Sequence, residues 1–128
     1  MAGGMIEVSP SQNRDYLSKF FTIQGKMKRR LVLNFQKINQ FIQVEHSKME
    51  GVPALREIIR PDDFVCKIDL KDAYAVVPMP PNSMDYPTFE NQGIVYRYRS
   101  LAFGLSVSPR IFSKIMCYAI EPLKKEGM

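Results

Sequence analysis

Phe64-Val65-Cys66-Lys67-Ile68-Asp69-Leu70-Lys71-Asp72-Ala73-Tyr74 is the stretch on which the reading of this chain turns. Apolar side chains alternate at Phe64, Cys66 and Ile68, the two-residue period of a half-buried β-strand. Asp69 falls on the opposite face at the strand's end, where a carboxylate reaches water or a metal, and Tyr74 follows across a short charged turn. A carboxylate that ends a core strand also commonly caps the next helix, so these residues alone leave capping and metal binding both open.

Working outward, 128 residues make one domain or part of one. A hydrophobic share of 45%, with 8 phenylalanines and 6 tyrosines, is enough to bury a core and excludes generic disorder. The net charge of +5 is compatible with an anionic partner, and its distribution says more than its size. Lys26, Lys28, Arg29 and Arg30 crowd into one short run, whereas carboxylates gather between Glu45 and Asp72. Two cysteines, Cys66 and Cys117, and a single histidine, His46, have no metal-ligand spacing, so a zinc site is excluded. Cys66, on the apolar face of its strand, reads as a buried free thiol suited to a reducing compartment. The N-terminus lacks a signal or transit composition, and no apolar run approaches the about 20 residues that span a bilayer. The expectation is a soluble intracellular protein, cytoplasmic or nuclear, with no membrane partner.

Residues 1–15 read as a turn-rich lead-in with Gly3-Gly4, Ser9-Pro10 and Asn13 as breakers. Tyr16 to Thr22 and Arg30 to Phe35 read as strands around Gln24-Gly25-Lys26, a hairpin with a cationic tip. Gln36 to Phe41 suits one helical turn. Gly51 to Arg60 suits a helix with Pro53 in its first turn and Pro61 at its end. Pro78, Pro80 and Pro81 predict an extended crossing over 75–83. Tyr86–Glu90 and Ile94–Ser100 flank Asn91-Gln92-Gly93, a second hairpin with a three-residue loop. Tyr96 and Tyr98 share a face and read as packing residues rather than base-stacking ones. The last helix is predicted with Ser108 as its cap, Pro109 in first position and one apolar stripe through Ile111, Phe112, Ile115, Met116, Ala119, Ile120 and Leu123. Lys124 and Lys125 suit its C-terminal dipole, and Gly127 its end. Gly104, in Phe103-Gly104-Leu105-Ser106, marks a tight approach before it. The predicted fold class is α+β, with antiparallel strands, a long C-terminal amphipathic helix, no repeats and no interdomain linker.

In this order the segments resemble reverse transcriptases. Lys67-Ile68-Asp69-Leu70-Lys71-Asp72-Ala73-Tyr74 is similar to the family's first carboxylate motif. Leu101-Ala102-Phe103-Gly104-Leu105-Ser106-Val107-Ser108-Pro109-Arg110-Ile111-Phe112 is similar to its Leu-Pro-Phe-Gly-Leu segment and the helix after it. Arg30-Leu31-Val32-Leu33-Asn34-Phe35, with Ile38-Asn39 behind, is similar to the fingers strand that follows the basic tip. Lys48-Met49-Glu50-Gly51 and Ile59-Arg60-Pro61-Asp62-Asp63 resemble DIRS-type retrotransposon polymerases most.

The resemblance implies the fingers (about residues 1–60) and partial palm (about 61–128) of a right-hand RNA-directed DNA polymerase. It implies that Asp69 is the catalytic carboxylate and, with the Leu70 carbonyl, a Mg2+ ligand. Arg30, and with it Lys28 or Lys26, would hold the triphosphate, and the main chain at Asp72 and Ala73 would support it. Tyr74 would pack under the sugar and reject a 2′-hydroxyl, and Phe103 and Gly104 would border nucleotide and template. The implied partners are an RNA or DNA template–primer and a dNTP. Phosphoryl transfer independently asks for hard cations with oxygen ligands and for positive charge around the phosphates, and a guanidinium fork fits phosphate oxygens two at a time.

The sequence departs from the family at several points. Ala102 stands for the usual proline, Ala75 for an aromatic and Asn34 for an aspartate. The second catalytic motif, Tyr-x-Asp-Asp, is expected beyond the last helix, and no aspartate follows Asp85; Glu90, Glu121 and Glu126 are poor substitutes. On the resemblance, a thumb and any RNase H, integrase or recombinase segment are not expected within these 128 residues. The expectation is therefore a retroelement fragment, inactive as the isolated chain. The alternative reading is a non-catalytic nucleic-acid-binding remnant acting through the basic hairpin at 26–30.

Overall fold

A computed structural model describes residues 4–45 and 51–127. The basic hairpin forms as expected, shifted along the chain: β2 (Lys19–Gln24) and β3 (Arg29–Asn34) pair antiparallel from Lys19↔Asn34 to Gln24↔Arg29. The Gly25 N–H donates to the Lys28 carbonyl at 3.0 Å and closes the tip. A Cβ on Gly25 would sit 2.7 Å from that carbonyl oxygen, so the turn admits no side chain there. The period-2 pattern sends Phe20, Leu31 and Leu33 into the core and leaves Phe21 and Ile23 half exposed on the other face.

β4 (Thr88–Asn91) and β5 (Ile94–Tyr98) form the second hairpin. Asn91 pairs with Ile94, so the loop is Gln92-Gly93 alone, two residues rather than three. Both take positive φ, +51° and +79°, the backbone of a type I′ turn, whose twist matches that of the strands it joins. β1 (Ile6–Val8) lies within the lead-in where only turns were expected, and it pairs with the other edge of β5. The sheet order is β1-β5-β4, all antiparallel, with Val95 of the central strand completely buried. Three residues are too few to show a strand period, which is why β1 escaped the sequence.

Beyond β1 the ladder is continued by a side chain. Gln12, at φ +49°, accepts the Val95 N–H at 3.0 Å and donates to the Val95 and Ser9 carbonyls at 3.0 and 2.6 Å. On the same face of β5 as Val95, Arg97 is 15% exposed and bonded to Glu7 at 2.7 Å and Asp85 at 3.0 Å. Burial pulls the Arg97 pKa down, but the bonds and charges of Glu7 and Asp85 outweigh it and leave it raised. On the opposite face Tyr96 stacks on Phe89 at 5.5 Å and Tyr98 meets the edge of Phe35 at 6.4 Å, so both tyrosines pack as the sequence implied. Burial pushes the Tyr98 hydroxyl pKa up.

The two sheets share one core of Leu33, Phe35, Ile38, Phe89, Ala102 and Leu105. Their junction is a Leu17–Thr88 bridge, where the Ser18 N–H donates to the Thr88 carbonyl at 2.8 Å, and a Phe20–Phe89 ring contact at 5.2 Å. α1 (Gln36–Asn39) is the expected single turn, with Asn34 Oδ1 accepting the Gln36 N–H at 3.0 Å. α2 (Val52–Ile58) begins with Pro53 in its first turn and buries none of its residues. The Lys48-Met49-Glu50 resemblance and His46 lie outside the described residues.

Three further expectations are corrected. Residues 63–70 form no strand, and Phe64, Val65, Cys66 and Ile68 are all exposed, so Cys66 is not a buried thiol. Alternation selects faces only where a sheet exists, and among the described residues no strand offers 64–69 a ladder partner. The stretch 75–83 is not extended throughout: two 3-10 turns, Ala73–Val76 and Pro81–Ser83, flank a short pairing of Pro78 with Ser100. Proline lacks a ladder donor, but its φ suits the first position of such a turn, which Pro81 takes. Ser108 does not cap α3 (Ser108–Lys125); it is buried, and its hydroxyl donates back to the Ala102 carbonyl at 2.8 Å. Pro109, Lys124 and Lys125 stand where expected, Gly127 ends the helix at φ +84°, and Tyr118, Ile120 and Leu123 remain exposed.

Candidate functional site

The chain leading into the site carries Asp69 and Leu70 on the exposed segment 63–70. Asp69 makes no ion pair or side-chain hydrogen bond among the described residues, so its expected alternative as a helix cap is not realised. Asp72 then turns the chain through the left-handed region, φ 48° and ψ 51°, a conformation that aspartate tolerates better than most residues. Its carbonyl accepts the Ala75 N–H at 2.9 Å and starts the 3-10 turn Ala73–Val76. That turn swings Tyr74 inward, half-buried, against rings from two other places in the chain.

The Tyr74 ring lies 4.7 Å from Phe103 at an interplanar angle of 38°, and 5.4 Å from Phe112 of α3 at 65°. Phe103 is 72% exposed, so Tyr74 is sandwiched between a ring open to solvent and one on the helix. Ring pairs at these separations are each worth about 0.5–1.5 kcal/mol beyond the area they bury. Gly104 follows at φ +93°, with Phe35 Cδ2 3.4 Å and the Leu33 carbonyl oxygen 3.6 Å from where its Cβ would be. Tyr74, Phe103 and Gly104, which the sequence singled out separately, therefore meet. Phe112 joins them unannounced; as a member of the apolar helix stripe, it gave no sign of facing Tyr74.

Asn39, which the sequence marked only as part of the segment behind the fingers strand and to which it gave no role, also belongs to the site. Its Nδ2 donates to the Gly104 carbonyl at 2.8 Å and its Oδ1 accepts the Ser106 N–H at 2.9 Å. Beside it runs an open concavity of about 510 Å³ lined by Leu33, Asn34, Phe35, Gln36, Asn39, Gln40 and Gly104. The signal that could have found Asn39 is weak, a lone amide at the end of a one-turn helix.

The cations stand apart from this cluster. Lys26, Lys28, Arg29 and Arg30 are all exposed at and beside the hairpin tip. Arg29 donates to Gln24 Oε1 at 3.1 Å, and among the described residues none of the four is held in an ion pair. Lys28 and Arg30 are not salt-bridged to Asp69 or Asp72, which keeps their charge available for an anion. No three acidic, histidine or cysteine side chains come together as a metal site among the described residues. Asp69 and the Leu70 carbonyl supply one carboxylate and one neutral oxygen, short of what a pair of magnesium ions requires, so the residues present do not fit a complete two-cation centre.

The fold is that of solved reverse transcriptase structures. The prototype foamy virus protease–reverse transcriptase CSH mutant superposes with a TM-score of 0.78 at 19% identity, covering 93% of this chain and 16% of that one. The foamy viral protease–reverse transcriptase in complex with dsDNA gives 0.73 at 16% identity, over 92% of this chain and 24% of that one. In sequence, the chain is 29% identical over 131 residues to the Gag-Pro-Pol polyprotein of sheep pulmonary adenomatosis virus, covering 95% of this chain and 7% of that protein. It is 26% identical over 101 residues to the genome polyprotein of Petunia vein clearing virus, covering 79% of this chain and 4% of that protein. The chain thus spans less than a tenth of the length of either polyprotein. No protein-family model matches it. Among the described residues no helix is long and apolar enough to cross a membrane.

Proposed function

We propose that this chain is the fingers (about 1–60) and first half of the palm (about 61–128) of a retroelement reverse transcriptase, the part that receives a dNTP and the template–primer. The observation that carries the reading is the packing of Tyr74 on Phe103, which unites two sequence-distant motifs in one aromatic ledge beside Gly104. In this reading Tyr74 lies under the nucleotide sugar, Phe103 and Gly104 border the base pair, and the amides at Asp72 and Ala73 meet the phosphates. Arg30 and Lys28 approach the triphosphate from the hairpin. Asp69 and the Leu70 carbonyl are the chain's contribution to the magnesium, whose chemistry is to neutralise and orient the phosphates during transfer. The DIRS-type assignment rests on the resemblance of Lys48-Met49-Glu50-Gly51 and Ile59-Arg60-Pro61-Asp62-Asp63 alone. Because one side-chain carboxylate does not hold two cations, the 128-residue chain is expected to show no magnesium-dependent extension of a DNA primer on an RNA template. Asp69→Asn leaves that background unchanged. Extension by the unmodified chain would overturn the fragment reading. Binding of a labelled RNA–DNA template–primer and of magnesium dATP, each weakened by Arg30→Ser, supports the site; binding of neither removes it.

The exposed Lys26, Lys28, Arg29 and Arg30, none in an ion pair among the described residues, favour a second reading in parallel, in which the hairpin tip binds nucleic acid non-catalytically and without sequence preference.

A further inference from the structure

Phe103 is the most exposed member of the aromatic ledge, yet its backbone is the most closely held. Ala102 and Leu105 on either side are buried, a Cβ on Gly104 would meet the Phe35 ring at 3.4 Å, and the Ser108 hydroxyl and N–H hold the Ala102 and Leu105 carbonyls at 2.8 and 3.1 Å. What remains to be fixed is the peptide run from Gly104 to Ser106, and a single side chain fixes it. Asn39 gives the Gly104 carbonyl a donor and the Ser106 N–H an acceptor, the two bonds that a neighbouring strand would supply. Asn39 is itself anchored from the core. Its N–H donates to the Phe35 carbonyl at 2.8 Å, and Phe35, which precedes the one-turn helix, and Ile38 within it are both buried.

We infer that Asn39 is a positioning residue for sugar discrimination: it registers the Phe103–Ser106 loop against the hairpin's core end and thereby sets the Phe103 ring on Tyr74. The inference rests on the proposed role of Tyr74 under the nucleotide sugar and adds the residue that fixes the ledge. A side-chain amide suits the task because only Asn and Gln offer a donor and an acceptor side by side, and glutamine's extra methylene would misplace both. Aspartate keeps the acceptor for Ser106 but sets a carboxylate oxygen against the Gly104 carbonyl.

The test compares the chain with Asn39→Ala and Asn39→Asp in two measurements. The first is the nuclear Overhauser contact between the Tyr74 and Phe103 rings, with the Phe20–Phe89 contact of the core as folding control. The second is the ratio of affinities for dATP and ATP. Asn39→Ala should lose the Tyr74–Phe103 contact, keep the core contact, and lower the dATP preference roughly fivefold, the order of one net hydrogen bond. Asn39→Asp should fall between; if Asn39→Ala loses the core contact, Asn39→Asp is read in its place. A retained ring contact with an unchanged ratio overturns the role of Asn39. Equal binding of dATP and ATP by the unmodified chain overturns instead the sugar role of Tyr74, and the ring contact alone then decides whether Asn39 is the clamp.

Discussion

Gly104 shows how much one backbone angle decides. At φ +93° with Phe35 and Leu33 in contact range, any side chain adds strain and crowding together. Gly104→Ala should destabilise by about 1–3 kcal/mol in urea denaturation, whereas Gly127→Ala, at a similar φ with nothing near its Cβ, should cost about 1 kcal/mol or less. Equal losses would show that the contact at Gly104 is slack. Tyr98 supplies a pH signature. Its burial raises the hydroxyl's pKa in the folded state above the ordinary 10.0, so the unfolded chain releases this proton first as pH rises. Stability is therefore unaffected by Tyr98 below pH about 10 and falls with further alkalinity until the folded-state pKa is passed. Tyr98→Phe should flatten that alkaline decline in a series of melts from pH 8 to 11; an identical decline in both proteins would remove Tyr98 as its source.

β5 is an example of a strand whose surroundings were only half visible. Its face pattern was readable, and both Tyr96 and Tyr98 pack as the alternation implied. Its neighbours were not, because β1 is too short for a period and Gln12 is no strand residue at all. Val95 is wholly buried, and its N–H has the Gln12 amide as its acceptor. Gln12→Ala should therefore leave a buried donor unpaired and cost about 1–3 kcal/mol, and Gln12→Glu should not restore it, because a carboxylate keeps the acceptor but sets its second oxygen against the Val95 and Ser9 carbonyls. Calorimetric melts of the two variants test this; equal melting temperatures for Gln12→Ala and the parent would mean that water replaces the amide. α3 makes the complementary case. Its apolar stripe was plain from the sequence, but among the described residues its tertiary side-chain bonds and ring contacts fall on its first turns, at Ser108, Arg110 and Phe112.

Taken entire, the chain combines a shared core between two small sheets with broad exposed apolar surface on α2, on 64–68 and on the later turns of α3. Such surface drives association, so the purified chain should aggregate or melt over a broad range. A sharp, reversible two-state melt of a monomer would show the chain to be self-sufficient. The basic tip should act independently of that surface. If Lys26, Lys28, Arg29 and Arg30 together neutralise about three phosphates, affinity for nucleic acid should fall roughly 20- to 40-fold between 50 and 200 mM salt. Replacing the four with serine should flatten the slope. Absent binding at low salt, or an unchanged slope, would dismiss the tip as a contact.

The residues by themselves determined what depends on near neighbours. Alternation set the faces of β5, Gln24-Gly25-Lys26 and Asn91-Gln92-Gly93 marked the two turns to within a residue or so, and the order of three short motifs marked Asp69, Tyr74, Phe103 and Gly104 before any fold was known. The tertiary structure decided what depends on partners distant in the chain. A ladder exists only where a second strand lies alongside, so 64–69 alternates like a strand without being one, and Ile6–Val8 is a strand without a legible period. A side-chain amide takes the place of backbone only where a loop of fitting geometry is brought to it. For that reason the bonds of Asn39 and Gln12 are not legible in sequence, and the meeting of Tyr74 with Phe103 and Phe112 was settled by the packing of a turn, a loop and a helix from distant parts of the chain.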